Sequence, residues 1–197
     1  MQGSKIRLSP AEAALICDAE VILTKNSIIQ KVVLLLNEVQ GNLVENATSP
    51  ITETSPSPKI SKGENYLGLP YVILDYPRIT KGEDLFFIRS MFWWGNFFSS
   101  TLQLAGSYKS RFREKIVAAY PILKNEGYFI GINPAPWVHH FGEDNYKKIG
   151  SLSHDAFVVI LEESHHIKIA ASWPVMEWDS AANKLEKSWK LLKGLVS

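Results

Sequence analysis

Histidines and carboxylates gather in the stretch PWVHHFGED, residues 136–144. If a helical turn begins there, His139 faces Glu143 and His140 faces Asp144, each pair four residues apart. Imidazole and carboxylate at that spacing can share a divalent metal. A second pair, His165 and His166, follows Glu162 and Glu163, so the residue types of a two-His, one-carboxylate site are present. Two features oppose this reading. Adjacent histidines on a strand point to opposite faces, and Gly142 disfavours a helical turn. The competing picture is a loop with one imidazole bonded to backbone and the other meeting water. His139, His140, Glu143 and Asp144 therefore stand as candidate ligands of a metal-dependent hydrolase, the enzymatic alternative.

A second chemistry resides in LAGSYKSRFREK, 104–115. A strand ends, Gly106 and Ser107 turn the chain, and a helix opens with Lys109, Arg111, Arg113 and Lys115. Free N–H groups and the positive dipole end already favour anions at that position. Four further cations are adverse there unless an anion answers them. Gly106, Ser107, Lys109 and Arg113 are the candidate contacts to a small anionic ligand, and a solvated basic face paired with acids elsewhere is the alternative.

The third feature is MFWWGNFFSS, 91–100. Two aromatic runs split by Gly95-Asn96 read as a hairpin with a two-residue turn. That register sets Trp94 opposite Phe97, Trp93 opposite Phe98 and Arg89 opposite Leu102. It places Phe87, Arg89, Met91 and Trp93 with Phe98, Ser100, Leu102 and Leu104. Trp94 then shares a face with Ser99, Thr101 and Gln103, and is the candidate to border a partly polar groove. A slip of one residue would exchange these faces. Arg89 in an apolar row needs a partner, and Asp75 on the preceding strand is the nearest acid.

These residues need a scaffold. Ser9 and Pro10 open a helix, and apolar spacing continues through Ile28, Ile29, Val32, Val33, Leu36, Val39, Leu43 and Val44, with Asn26-Ser27 as a restart point. Cys17 reads as a small core residue of that helix. Ser, Thr and Pro dominate NATSPITETSPSPK, 46–59, a linker by composition. LPYVILDYP reads as a strand closed by Pro77, and GYFIGI and HIKIAASW as further strands. FVVIL is a strand, or belongs to a helix over 154–163 capped by Ser153. Ser107 caps a helix over 108–119, and Trp178, Ala182, Leu185, Trp189, Leu192 and Leu195 mark a C-terminal one. The expected fold is α+β. An antiparallel sheet of about five strands packs with helices after an N-terminal helical segment. Its parts are a helical segment 1–47, a linker 48–64 and an α+β domain 65–197.

A formal charge of +1 gives no basic field for nucleic acid or an acidic membrane. Apolar runs such as VVLLL at 32–36 are far too short for a membrane span. A single cysteine allows no internal disulfide, and the first residues lack a secretory apolar core, so a soluble cytoplasmic protein is expected. The glycosylation sequence Asn46-Ala47-Thr48 is then without meaning. P-loop, G-x-G-x-x-G, G-x-S-x-G, H-E-x-x-H and paired C-x-x-C signatures are all absent, and no cofactor is identified. The leading expectation is a non-enzymatic binding or interaction module for a small anionic ligand or a protein partner. A third reading is an assembly protein that forms a homodimer through the apolar stripe of 28–44.

Overall fold

The computed structural model describes residues 5–45 and 50–196. Asn46-Ala47-Thr48 and the 47/48 boundary lie outside them. Ser9 caps α1 (Pro10–Cys17) in a reciprocal box with Glu12. The break before α2 (Ala19–Glu45) falls at Asp18, and α2 runs without interruption through Asn26-Ser27. No residue of α1 is buried, so Cys17 is exposed rather than a core residue. A short helix, α3 (Pro50–Thr54), precedes β1 (Lys59–Tyr66), so strand occupies 59–64, which composition assigns to the linker.

The chain then forms β2 (Leu69–Lys81), β3 (Asp84–Trp93) and β4 (Phe97–Ala105). Two helices follow, α4 (Gly106–Ala118) and α5 (Tyr120–Asn125). Next come β5 (Phe129–Gly131), β6 (Tyr146–Lys148), α6 (His154–Glu163), β7 (His166–Pro174) and α7 (Trp178–Gly194). The fold is α+β with one antiparallel sheet, as expected, but the sheet has seven strands in the order β1-β2-β3-β4-β7-β5-β6. The two unforeseen strands are both edges. β1 has only Ile60 and Tyr66 among polar residues and β6 has three residues, so neither carries an alternating apolar pattern. FVVIL lies in α6, whose first turn is capped by the Ser153 hydroxyl accepting from the Ala156 N–H.

Pro77 does not close β2. The strand continues past it through a bulge between Asp75 and Arg78, where the missing N–H is tolerated. The larger departure is at the hairpin. Trp93 pairs with Phe97, Phe92 with Phe98 and Arg89 with Thr101, so the loop has three residues, Trp94 to Asn96. Trp94 is held back by its N–H donating to the Pro70 carbonyl at 3.0 Å. The Asn96 side chain donates to the Trp94 carbonyl at 2.8 Å, and Gly95 adopts φ +71°.

One face of the sheet carries the apolar core. Val72, Leu74, Phe86, Ile88, Phe92, Phe98, Leu102, Leu104, Ile167 and Ile169 point there. On it lie α2, packed on β1, β2 and α7, and α7, packed on β3, β4 and β7. Ile29, Val32, Leu36, Val39 and Leu43 of α2 are all buried in this core. Each such burial is worth roughly 1.5–3 kcal/mol before chain entropy is set against it. The stripe that motivates a dimer is therefore occupied within the chain. Among the described residues, no helix is long and apolar enough to cross a membrane.

Trp189 stands at the centre of α7. It is 1% exposed, stacks on Tyr76 at 6.2 Å and donates its indole N–H to the Tyr76 carbonyl at 2.6 Å. Trp189→Ala removes that volume and orphans a buried carbonyl, so it lowers stability by about 3–5 kcal/mol. Trp189→Phe keeps most of the volume and costs about 1–2 kcal/mol. Urea midpoints of the two variants check this, and equal midpoints contradict it.

Candidate functional site

The other face of the sheet is built from cross-strand partners. Asp75 pairs with Arg89, Arg89 with Thr101, Gln103 with Phe87 and Lys168, and Ala105 with His166. Partners directly opposite share a face. The three-residue loop thus puts Arg89 beside Thr101 and Gln103, in place of the expected Leu102 and Leu104. A polar row runs through the middle of the sheet, and the segment 132–145 folds over it.

Arg89 and Asp75 form a two-point ion pair, Nε to Oδ1 at 2.7 Å and Nη2 to Oδ2 at 2.8 Å. Their side chains are only 15% and 10% exposed. Asp75 is the partner that the sequence suggests. The third contact of Arg89 is unforeseen: Nη1 donates to Nε2 of His139 at 3.0 Å. Because that nitrogen accepts, the neutral imidazole carries its proton on Nδ1. Burial, then the nearby Arg89, Lys168 and His140, hold the His139 pKa down at about 3.

The covering segment is pinned from several sides. The Tyr66 hydroxyl accepts from the His139 N–H at 2.6 Å and the His140 N–H at 3.1 Å. Asn145 donates to the His140 carbonyl at 2.5 Å, and Lys168 donates to the Val138 carbonyl. Phe141 stacks on Tyr146 at 4.6 Å and meets Phe97 edge-on at 5.0 Å. Lys168 is 1% exposed, and burial followed by Arg89 lowers its pKa to about 8. Its ammonium lies 4.8 Å from the Tyr146 ring centre, where the π face partly replaces lost water. Burial raises the Tyr146 pKa. Nε2 of Gln103 is buried with no hydrogen-bond partner among the described residues.

Between sheet and segment lies a cavity of about 300 Å³ lined by Tyr66, Tyr71, Ile73, Arg89, Met91, Trp137 and His139. Three of the five guanidinium N–H bonds of Arg89 are used by Asp75 and His139. Trp137 stands over the guanidinium at 5.8 Å. Arg89 and Lys168, both largely buried, share this face with the buried carboxylate Asp75, which is paired to Arg89. The cavity is aromatic on its walls and electropositive at its base.

The residues singled out from the sequence are distributed differently. Of the histidine cluster only His139 reaches the cavity. His140 turns away, accepting from the Gly142 N–H at Nδ1 and lying 3.9 Å from Asp144. Among the described residues no group of three His, Cys, Asp or Glu is placed to hold a metal ion. Trp94 does not border Ser99, Thr101 and Gln103. It sits at the hairpin loop in a shallow groove with Val21, Lys25 and Ile28 of α2. On the polar face the indole is that of Trp93, buried and donating to the Tyr66 carbonyl at 3.2 Å.

The basic helix start is answered from inside the chain. Ser107 does not cap α4 with its side chain; the Asp84 carboxylate accepts from its N–H at 2.7 Å. That hydrogen bond holds the Asp84 pKa below its ordinary value. Lys109 donates to the Glu162 carbonyl at 3.1 Å and to the Ser164 carbonyl at the end of α6, and Arg113 pairs with Glu114 at 2.7 Å. Gly106 has φ +58°, and a Cβ there would lie 2.3 Å from Oδ1 of Asp84. Gly106→Ala therefore meets both an adverse backbone and the capping carboxylate, and costs about 1–3 kcal/mol. Thermal unfolding checks this; an unchanged midpoint means the cap tolerates displacement.

Comparison with known protein families, with curated proteins and with solved structures finds no match to this chain.

Proposed function

We propose that the chain is a non-enzymatic binding module for a small anionic ligand, held at Arg89 under the 132–145 segment. One observation carries the reading. A largely buried guanidinium with unused N–H bonds lines an aromatic cavity whose face holds more positive than negative charge. Asp75 balances one of the two buried cations, Arg89 and Lys168, and an anion in the cavity offsets the charge that remains. The low proton affinity of His139 fits the same reading, since the imidazole stays neutral and keeps accepting from Arg89 at Nε2.

This places the anion away from the Gly106, Ser107, Lys109 and Arg113 cluster, whose charges already have partners within the chain. A native mass spectrum of the freshly purified protein, compared with a denaturing one, tests the reading. The expected result is a mass excess that vanishes on denaturation and belongs to an acid. If no acid is retained and no small anion raises the melting temperature, the reading falls.

A further inference from the structure

Resting on that reading, we infer that the ligand is a monocarboxylate with a flat, uncharged, aromatic body. The acid end is set by Arg89. Asp75 occupies Nε and one N–H of Nη2, and His139 takes one N–H of Nη1, leaving one N–H on each terminal nitrogen. Two N–H donors in one guanidinium plane can meet the two oxygens of a carboxylate. A phosphate dianion needs more. The other buried cation of this face, Lys168, donates to the Val138 carbonyl, and neither it nor a helix start lines the cavity.

The body of the ligand is set by the walls. Tyr66, Tyr71 and Trp137 are aromatic, and Ile73 and Met91 are apolar. The volume of about 300 Å³ is at the small end for a ligand site, suited to one or two rings. Trp137 is 49% exposed, and covering its ring is a gain for a flat apolar partner. The walls also exclude an amino acid zwitterion. The lining holds no carboxylate to pair with its ammonium. Arg89 and Lys168 would repel it besides.

Calorimetric titration of the full chain with phenylacetate, phenylalanine and inorganic phosphate tests the inference, with indole fluorescence recorded alongside. Phenylacetate is expected to bind with one-to-one saturation. Phenylalanine and phosphate are expected to bind at least about thirtyfold more weakly, a gap set by the unmatched ammonium and the extra charge. Trp137→Ala is expected to weaken phenylacetate roughly tenfold, the upper range of one aromatic contact, at an unchanged melting temperature. Arg89→Lys keeps the charge but removes the fork, and is expected to abolish saturation.

Phosphate binding that needs Arg89, with none for phenylacetate, overturns the carboxylate class and leaves the anion site standing. Equal affinity for phenylacetate and phenylalanine overturns the exclusion of zwitterions, and with it the inference. Phenylacetate binding that ignores Trp137→Ala overturns the aromatic body. Saturation by none of the three, together with no retained acid in the native spectrum, overturns both this inference and the anion reading beneath it.

Discussion

Asp75→Ala lowers the unfolding free energy by about 3–5 kcal/mol, the cost of breaking a buried ion pair from one side. The reason is specific to this face. Asp75 is the acid bound by the Arg89 fork, through both oxygens at 2.7 and 2.8 Å. Its removal leaves Arg89 with Lys168 near by, and Lys168 is already depressed to a pKa of about 8 by burial and by Arg89. Two like charges then share a poorly hydrated site with no counterion. The double variant Asp75→Ala with Arg89→Met removes both members of the pair, leaves Lys168 without a second cation beside it, and recovers part of the loss. It also ends ligand binding, because the fork is gone. Urea unfolding of the four members of this cycle measures the coupling. A single variant within about 0.5 kcal/mol of the parent would show that water reaches the pair and screens it.

Acid weakens the protein between pH 6.5 and about 3. His139 is held at about 3 by burial and the cations around it, and His166 at about 4, by burial and then by Lys168, His165 and Lys109. In the unfolded chain both return to the ordinary value near 6.5. The unfolded state therefore binds more protons in this window, and stability is full above it and drains away as pH falls. From pH 7 to pH 5 the loss is about 2 kcal/mol from each imidazole, since both folded values lie below that window. His139→Gln flattens this slope while keeping a neutral acceptor for Arg89. Lys168 works with the same sign in alkali, adding stability between about 8 and its ordinary value near 10.5. Urea midpoints across pH 4–8 check the acid limb. A flat profile would mean that the 132–145 segment opens before the chain unfolds, letting both imidazoles titrate freely.

Much of the architecture is legible in local pattern. The Ser9 cap, the stripe of α2 and the periodicity of α7 follow from spacing alone, because an amphipathic helix carries its buried face in its own sequence. The Asp75–Arg89 pair is also legible, since a charge in an apolar strand demands an opposite one within reach. Polar edges are not legible. β1 borrows its order from β2 and shows no apolar rhythm of its own.

The amino-acid sequence by itself determined the helices, the two long hairpin strands and the presence of one arginine that had to be paired. Only the tertiary structure decided which residues stand beside that arginine. The choice turned on the parity of one loop. Anchoring the Trp94 N–H on Pro70 makes the hairpin loop three residues long, and in a sheet of period two a single residue moves Thr101 and Gln103 onto the Arg89 face and Leu102 and Leu104 away from it. Closure of the site is likewise tertiary. His139 meets Tyr66, 73 residues earlier, and Arg89, 50 residues earlier, contacts that no local spacing encodes. The basic start of α4 shows the converse. Its charges suggest an external anion from sequence alone, but folding brings Asp84 to the Ser107 N–H and the end of α6 to Lys109.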